Sequence, residues 1–199
     1  MFIINCKNYN EIAGDKIIKI AKTAEKISRK YKIPIAIAPP HHLIPLITKF
    51  KIMILAQHMD DKKVGSTTGF MVPEIVKKSK IDGSIINHSE HRISEKEIKS
   101  LVKRLQKLKL KTVLCVKNVN EAKKYAKLNP TFIAIEPPEL IGTGRAISTE
   151  RPALITNAVQ AVKNARNSTK LLCGAGIVSG QDVLKAKELG SKGILVASG

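Results

Sequence analysis

The order of its segments restricts this chain more than any single residue does. Eight short runs rich in Ile, Val, Leu and Ala recur along 199 residues: "FIIN" (2–5), "IPIAIA" (33–38), "IMILA" (52–56), "GSIIN" (83–87), "TVLCV" (112–116), "FIAIE" (132–136), "KLLCG" (170–174) and "GILVA" (193–197). Most are continuously apolar, the pattern of strands buried on both faces. Stretches of helical period separate them. In 14–31, Ile17, Ala21, Ala24, Ile27 and Tyr31 fall at spacings of three and four. In 94–109, Ile98, Leu101, Val102, Leu105 and Leu108 do the same, and Ser94 with Glu97 makes the S-x-x-E box that opens such a helix. Ser179 and Asp182 form a similar start, and Pro152 suits the first turn of a helix near 150–165. Shorter helices are expected at 41–49, 73–79 and 119–128.

Strands alternating with helices make βαβ units, and parallel neighbours need right-handed crossovers. Eight such units close into a (β/α)8 barrel. The rival, an open doubly wound sheet, would usually carry a glycine-rich fingerprint after its first strand, and "NCKNYN" has none. The expected fold is therefore α/β, one compact barrel domain over 1–199. The residues stop at Gly199, directly after the eighth run, so the final helix is expected to be absent. Its absence would leave an apolar groove between the first helix and the helix after strand seven. Cover by a partner and a truncated chain are the two readings of that groove.

Composition bounds the function classes. Hydrophobic residues make up 43% of the chain, aromatics 4%, and there is no Trp, so the core must be aliphatic. No apolar run reaches the roughly 18 residues that span a bilayer. The start, "MFIINCKNYN", lacks the pattern of a signal peptide, and a cytoplasmic chain with no membrane partner is expected. Cys6, Cys115 and Cys173 lie far apart in apolar runs without zinc-ligand spacing, so they read as core residues and no metal is expected. Lys and Arg number 35 against 16 Asp and Glu, a formal charge of +19. Nucleic acid, an acidic membrane or an anionic substrate could each use that charge. The lysines are instead spread along helices (Lys16, Lys19, Lys22, Lys26, Lys30; Lys96, Lys99, Lys103, Lys107), as on a solvated surface of proteins from hot environments. No RNP-like aromatic motif or zinc finger favours nucleic acid.

Chemistry in such a barrel gathers where strands end and βα-loops begin. Those ends read Asn5-Cys6-Lys7, Asn87-His88-Ser89-Glu90, Glu136, Cys173-Gly174-Ala175-Gly176 and Ala197-Ser198-Gly199. A lysine, a histidine and a carboxylate thus reach one rim from three strands. Two turns of small residues follow strands seven and eight, where barrels commonly bind phosphate. Singly, each residue has a bland reading: a solvated lysine, a hydrogen-bonded structural histidine, a paired carboxylate, a tight turn. Their common placement weakens that reading. His41, His42 and His58 lack a plausible ligand set and read as loop residues.

The segments "NCK" (5–7), "GSTTG" (65–69), "NHSEHR" (87–92), "EPPELIGTG" (136–144), "LLCGAGI" (171–177) and "GILVASG" (193–199) keep one order and spacing. On these segments the chain resembles the triosephosphate isomerase family over essentially its whole length. "EPPELIGTG" and "NHSEHR" are the specific ones. The loop wording and the short length resemble the archaeal branch, whose members are commonly tetramers. The resemblance implies a TIM barrel that interconverts dihydroxyacetone phosphate and D-glyceraldehyde 3-phosphate through an enediolate, in glycolysis and gluconeogenesis, with no cofactor. It implies Glu136 as the base and His88 as hydrogen-bond donor to the carbonyl and enediolate oxygens. Lys7 supplies fixed positive charge, Asn5 binds substrate, and Glu90 supports by orienting Lys7. Ile141, Gly142, Gly176, Ala197 and Ser198 would offer backbone N–H groups to the phosphate. Pro137 and Pro138 would stiffen one hinge of a lid whose tip is Ile141-Gly142-Thr143-Gly144, while Glu139 is a lid-surface charge or a lysine's partner. "GSTTG" implies a homo-oligomer, a tetramer before a dimer, with Thr68 reaching toward a neighbour's site.

The sequence departs from the family at His91, where an arginine is usual. It also departs at Cys173, often an aromatic lid latch, and at Phe70, usually acidic or polar. Three functional readings stand at this point. One is an isomerase of triose phosphates. The alternative is a basic barrel protein that binds phosphosugar or nucleic acid without isomerase activity. A third is an inactive structural subunit.

Overall fold

The structure is a computed structural model that describes residues 1–197. Its strands are β1 (Phe2–Asn5), β2 (Ile35–Ala38), β3 (Met53–Ala56), β4 (Gly83–Ile86), β5 (Lys111–Val116), β6 (Phe132–Ile135), β7 (Lys170–Gly174) and β8 (Ile194–Val196). They run parallel in sequence order, and β8 returns to β1 through Phe2↔Ile194, Ile3↔Leu195 and Ile4↔Val196, which closes the barrel. Two apolar layers explain the continuously hydrophobic strands. Ile3, Ala36, Leu55, Ile85, Val113 and Leu172 fill the barrel interior. Their neighbours Ile37, Ile54, Ile86, Leu114, Ile133 and Leu171 face outward into the helical layer.

All eight expected strands form: β1 and β7 keep their bounds, β5 starts one residue earlier at Lys111, and the other five are trimmed. Pro34 has no N–H for the ladder, so "IPIAIA" pairs only from Ile35. Asn87 turns left-handed at φ 57°, which stops β4 one residue early. The helices are α1 (Lys16–Tyr31), α2 (Ile44–Ile47), α3 (Pro73–Val76), α4 (Glu95–Lys107), α5 (Val119–Ala126), α6 (Ile147–Glu150), α7 (Pro152–Lys163) and α8 (Gly180–Glu188). Gly14 at φ 55° delays α1 beyond the expected start. The helix expected over 41–49 opens as a 3-10 turn, His41–Leu43, before α2, and α3 runs on as a 3-10 turn at Lys77–Ser79. The helix expected near 150–165 is two, because Arg151 adopts φ −140°, ψ 58° between α6 and α7. Pro152 then occupies the first turn, where its missing N–H costs no bond. Both expected capping boxes are present: Ser94 and Glu97 open α4, and Ser179 and Asp182 open α8.

The helical stripe of α1 is only partly covered. Ile17, Ala21 and Ala24 are buried, whereas Ile27 is 41% and Tyr31 58% exposed. Ile27 faces a groove of about 720 Å³ between α1 and α8, with Phe2, Ile4, Ile20, Val183 and Val196 in its walls. This is the groove expected beside the eighth strand. No helix among the described residues is long and apolar enough to cross a membrane.

Candidate active site

At the C-terminal ends of the strands lies a cavity of about 300 Å³, whose walls include Asn5, Lys7, His88, Glu136, Ile141, Gly142, Gly176 and Ala197. Every expected site residue except Glu90 and Ser198 lines it. Glu90 sits at its edge, bonded to Lys7, and Ser198 lies outside the described residues.

Three turns aim the charged groups. After β1, the buried Asn5 accepts the Lys7 N–H on Oδ1 at 3.1 Å, and Lys7 adopts φ 46°. The Gln57 side chain donates to the Lys7 carbonyl at 2.9 Å and to Ala38 O at 3.1 Å, which ties the turn to the end of β3. The Lys7 ammonium then lies 2.7 Å from Glu90 Oε1. This pairing holds a flexible side chain in one place.

After β4, the left-handed Asn87 bonds on both sides. It donates to Cys115 O at 2.9 Å and accepts the Ile93 N–H at 3.2 Å, while Arg92 Nη1 donates to Asn87 O at 3.1 Å. The turn so formed carries His88. The Glu90 N–H points at His88 Nδ1 at 3.3 Å. A ring nitrogen that accepts carries no proton, so the neutral imidazole bears its hydrogen on Nε2. That Nε2 lies 3.6 Å from Glu136 Oε2, beyond hydrogen-bond length.

Glu136 follows β6 directly, one residue past the strand end, with only 5% of its surface exposed, and its Oε2 has no hydrogen-bond partner. Burial pushes its carboxyl above the ordinary carboxylate value, against the opposing pull of His88, the Cys115 thiol, Lys7 and Arg92. Cys115 was expected to be a core residue. It is buried in the barrel interior, and burial, then the charge of Glu136, keeps the thiol protonated far above its usual range. Gly174 makes room for the base, since a Cβ there would lie 2.5 Å from Glu136 Cγ.

The segment after Glu136 covers the cavity. Pro138–Leu140 forms a 3-10 turn, and Gly142 and Gly144 take φ 73° and 70°. Thr143 stitches the tip, donating to Leu140 O at 2.9 Å and accepting the Arg145 N–H at 3.1 Å. Gly176 lies against the far hinge, where a Cβ would meet Arg145 O at 1.9 Å. Glu139, read as a lid-surface charge or a lysine's partner, is half-exposed and pairs at 2.6 Å with an arginine, Arg151, at the head of α7.

Sequence reasoning missed the supports: Gln57 behind Lys7, Cys115 behind Glu136, and Arg92 with Asn87 behind His88. Gln57 reaches Lys7 from 50 residues away and Asn87 reaches Cys115 from 28, contacts between segments far apart in the chain. His41 and His58, read as loop residues, are built into the wall of a second cavity of about 790 Å³ that opens off the first at Lys7 and His88. Among the described residues, no group of three or more His, Cys, Asp or Glu side chains could hold a metal ion.

A family model described as triosephosphate isomerase matches residues 1–199. A protein of that name from Cenarchaeum symbiosum is 55% identical over 199 residues, which span 100% of this chain and 89% of the relative. Another, from Methanocaldococcus jannaschii, is 42% identical over 200 residues, spanning 100% of this chain and 91% of the relative. Among solved structures, the triosephosphate isomerase of Bartonella henselae superposes with a TM-score of 0.72 at 19% identity, over 99% of this chain and 91% of that one. This last likeness is one of fold.

Proposed function

The chain belongs to the triosephosphate isomerase family, and we propose that Glu136, His88 and Lys7 carry its reaction, the interconversion of dihydroxyacetone phosphate and D-glyceraldehyde 3-phosphate. The observation that carries this reading is the facing pair at the cavity floor: the unpartnered Glu136 Oε2 and the His88 Nε2, 3.6 Å apart and not bonded to each other. Both line the same cavity, so a substrate lying over the pair would present its carbon to the carboxylate and its oxygens to the imidazole.

In the proposed sequence, Glu136 takes the proton from the ketose C1, leaving an enediolate. Its raised carboxyl affinity brings the base closer to the pH at which it must both accept and return a proton. His88 passes its Nε2 proton to O2 as negative charge develops there and recovers one from the O1 hydroxyl, while Lys7 adds fixed positive charge. Glu136 then returns the proton to C2. Asn5 binds substrate, and Glu90 keeps Lys7 in place. Backbone N–H groups of Ile141, Gly142, Gly176, Ala197 and Ser198 are proposed to hold the phosphate. Small residues there permit close approach. The lid excludes water from the enediolate. No cofactor enters this scheme, and a cytoplasmic setting in glycolysis and gluconeogenesis accompanies it.

We further propose a homo-oligomer, tetramer before dimer. Loop 65–69, carrying Thr68, is flanked by Val64 and Phe70, which are 56% and 45% exposed. A coupled isomerisation assay tests the chemistry, with light scattering on the same sample for the assembly. Turnover by the purified chain is expected, and a His88→Gln variant should lose roughly 10²–10³-fold of it. Binding of inorganic phosphate should be nearly unchanged. Unaltered turnover in the variant would remove His88 from the scheme, and a mass of 21.8 kDa would remove the oligomer.

A further inference from the structure

His91 departs from the family's usual arginine, and the proposed reaction does not use it. Its ring stacks on that of His58, with centroids 3.7 Å apart and planes at 12°. His58 is only 8% exposed and follows β3, while His91 belongs to the turn after β4. The His91 N–H donates to His88 O at 2.9 Å. The stacked ring therefore hangs from the same turn that aims His88 and Glu90.

A third histidine backs the pair. His41 Nε2 accepts two backbone N–H groups, those of Gln57 at 3.1 Å and His58 at 3.3 Å. A nitrogen used this way cannot carry a proton. The surroundings offer limited compensation. Asp60 Oδ1 lies 3.4 Å from His58 Nε2, but its Oδ2 already accepts the Met71 N–H at 2.8 Å. His42 adds to the positive side, Glu97 of α4 to the negative side, and Lys7 and Glu90 line the inner wall. Protonating both stacked rings would press two like charges together. Protonating His41 would strip two buried N–H groups of their acceptor.

We propose that His41, His58 and His91 form a proton-sensitive support for the catalytic turn, which acidification loosens so that His88 and Glu90 lose their placement. Burial, then His91, holds His58 below the ordinary histidine value; burial, then His58, does the same to His41; Asp60 opposes in both cases. The sign follows from linkage. The unfolded chain takes up protons near pH 6.5, the ordinary histidine value, while folded His41 and His58 resist them. The stability held by the cluster is complete above that pH and is lost as pH falls through it. Only the last step, transmission to His88, rests on the isomerase reading.

The test uses the full chain with labelled histidines. Imidazole resonances are followed by NMR from about pH 8 to 5, and thermal unfolding is scanned over the same range. His91→Phe keeps a stacked ring but cannot take a proton. The titration midpoint of His58 should lie below that of free histidine in the wild type and move upward in His91→Phe. The acid loss of Tm should be smaller in the variant than in the wild type, and the acid limb of kcat/KM shallower. A His58 midpoint at or above the free value, or an acid loss of Tm identical in both proteins, overturns the proposal. Should His91→Phe fail to fold, His91→Gln is judged by the same criteria. The titration and unfolding readouts need no turnover, so an inactive chain would count against the isomerase scheme alone.

Discussion

A carboxylate with 5% exposure and one unpartnered oxygen is costly to keep ionised. Glu136 therefore binds its proton more tightly in the folded chain than in the unfolded one, with burial the leading cause. For an acid whose affinity is raised by folding, stability is fully present below the unfolded value, near pH 4.5, and declines as pH rises through the raised one. Replacing Glu136 by Gln should thus raise Tm at neutral pH, each kcal/mol reading as roughly 2–4 °C in a domain of this size. That advantage should shrink as the scan moves toward pH 4.5. A variant equally or less stable at neutral pH would show that the cavity compensates the charge. At this scale the sequence was half legible. Asn5, Lys7, His88 and Glu136 could be found because each lies at or within two residues of a strand's C-terminal end. Gln57 could not, since its bond to the Lys7 carbonyl joins residues 50 positions apart. The His58–His91 stack was hidden for the same reason: it needs the spatial adjacency of two loops.

Elements were legible where one local rule decides them. The continuously apolar runs became strands because both faces of a closed parallel barrel are covered. The starts of α4 and α8 were fixed by their capping boxes. In α4, Ser94 Oγ accepts the Glu97 N–H at 3.3 Å, and Glu97 Oε2 accepts the Ser94 N–H at 2.8 Å. Ser94→Ala should lower stability by about 0.5–2 kcal/mol, readable as a fall in Tm with turnover unchanged, because α4 does not touch the cavity. No change in Tm would mean that water replaces the cap. Element ends were less legible because single backbone angles decide them. The split at Arg151 and the late start after Gly14 depend on dihedrals that tertiary packing selects. The exposed end of the α1 stripe depends on what covers α1, which periodicity does not report.

Over the whole molecule, closure of the barrel gives eight unrelated loops one common rim. A lysine from residue 7, a histidine from residue 88 and a carboxylate from residue 136 line one cavity of about 300 Å³ for that reason. Much of the +19 charge lies apart from this arrangement, on exposed lysines of α1 and α4 such as Lys22, Lys26, Lys99 and Lys103. The central claim is that Glu136 moves the carbon-bound proton. Glu136→Asp retracts the carboxylate by one methylene inside an otherwise unchanged wall. The decisive measurement is kcat of Glu136→Asp in the coupled isomerisation assay, on protein shown by its unfolding curve to be folded. A loss of about 10²-fold or more is expected, since a misplacement near 1 Å costs that much in a positioned reaction; turnover equal to the wild type would contradict the account.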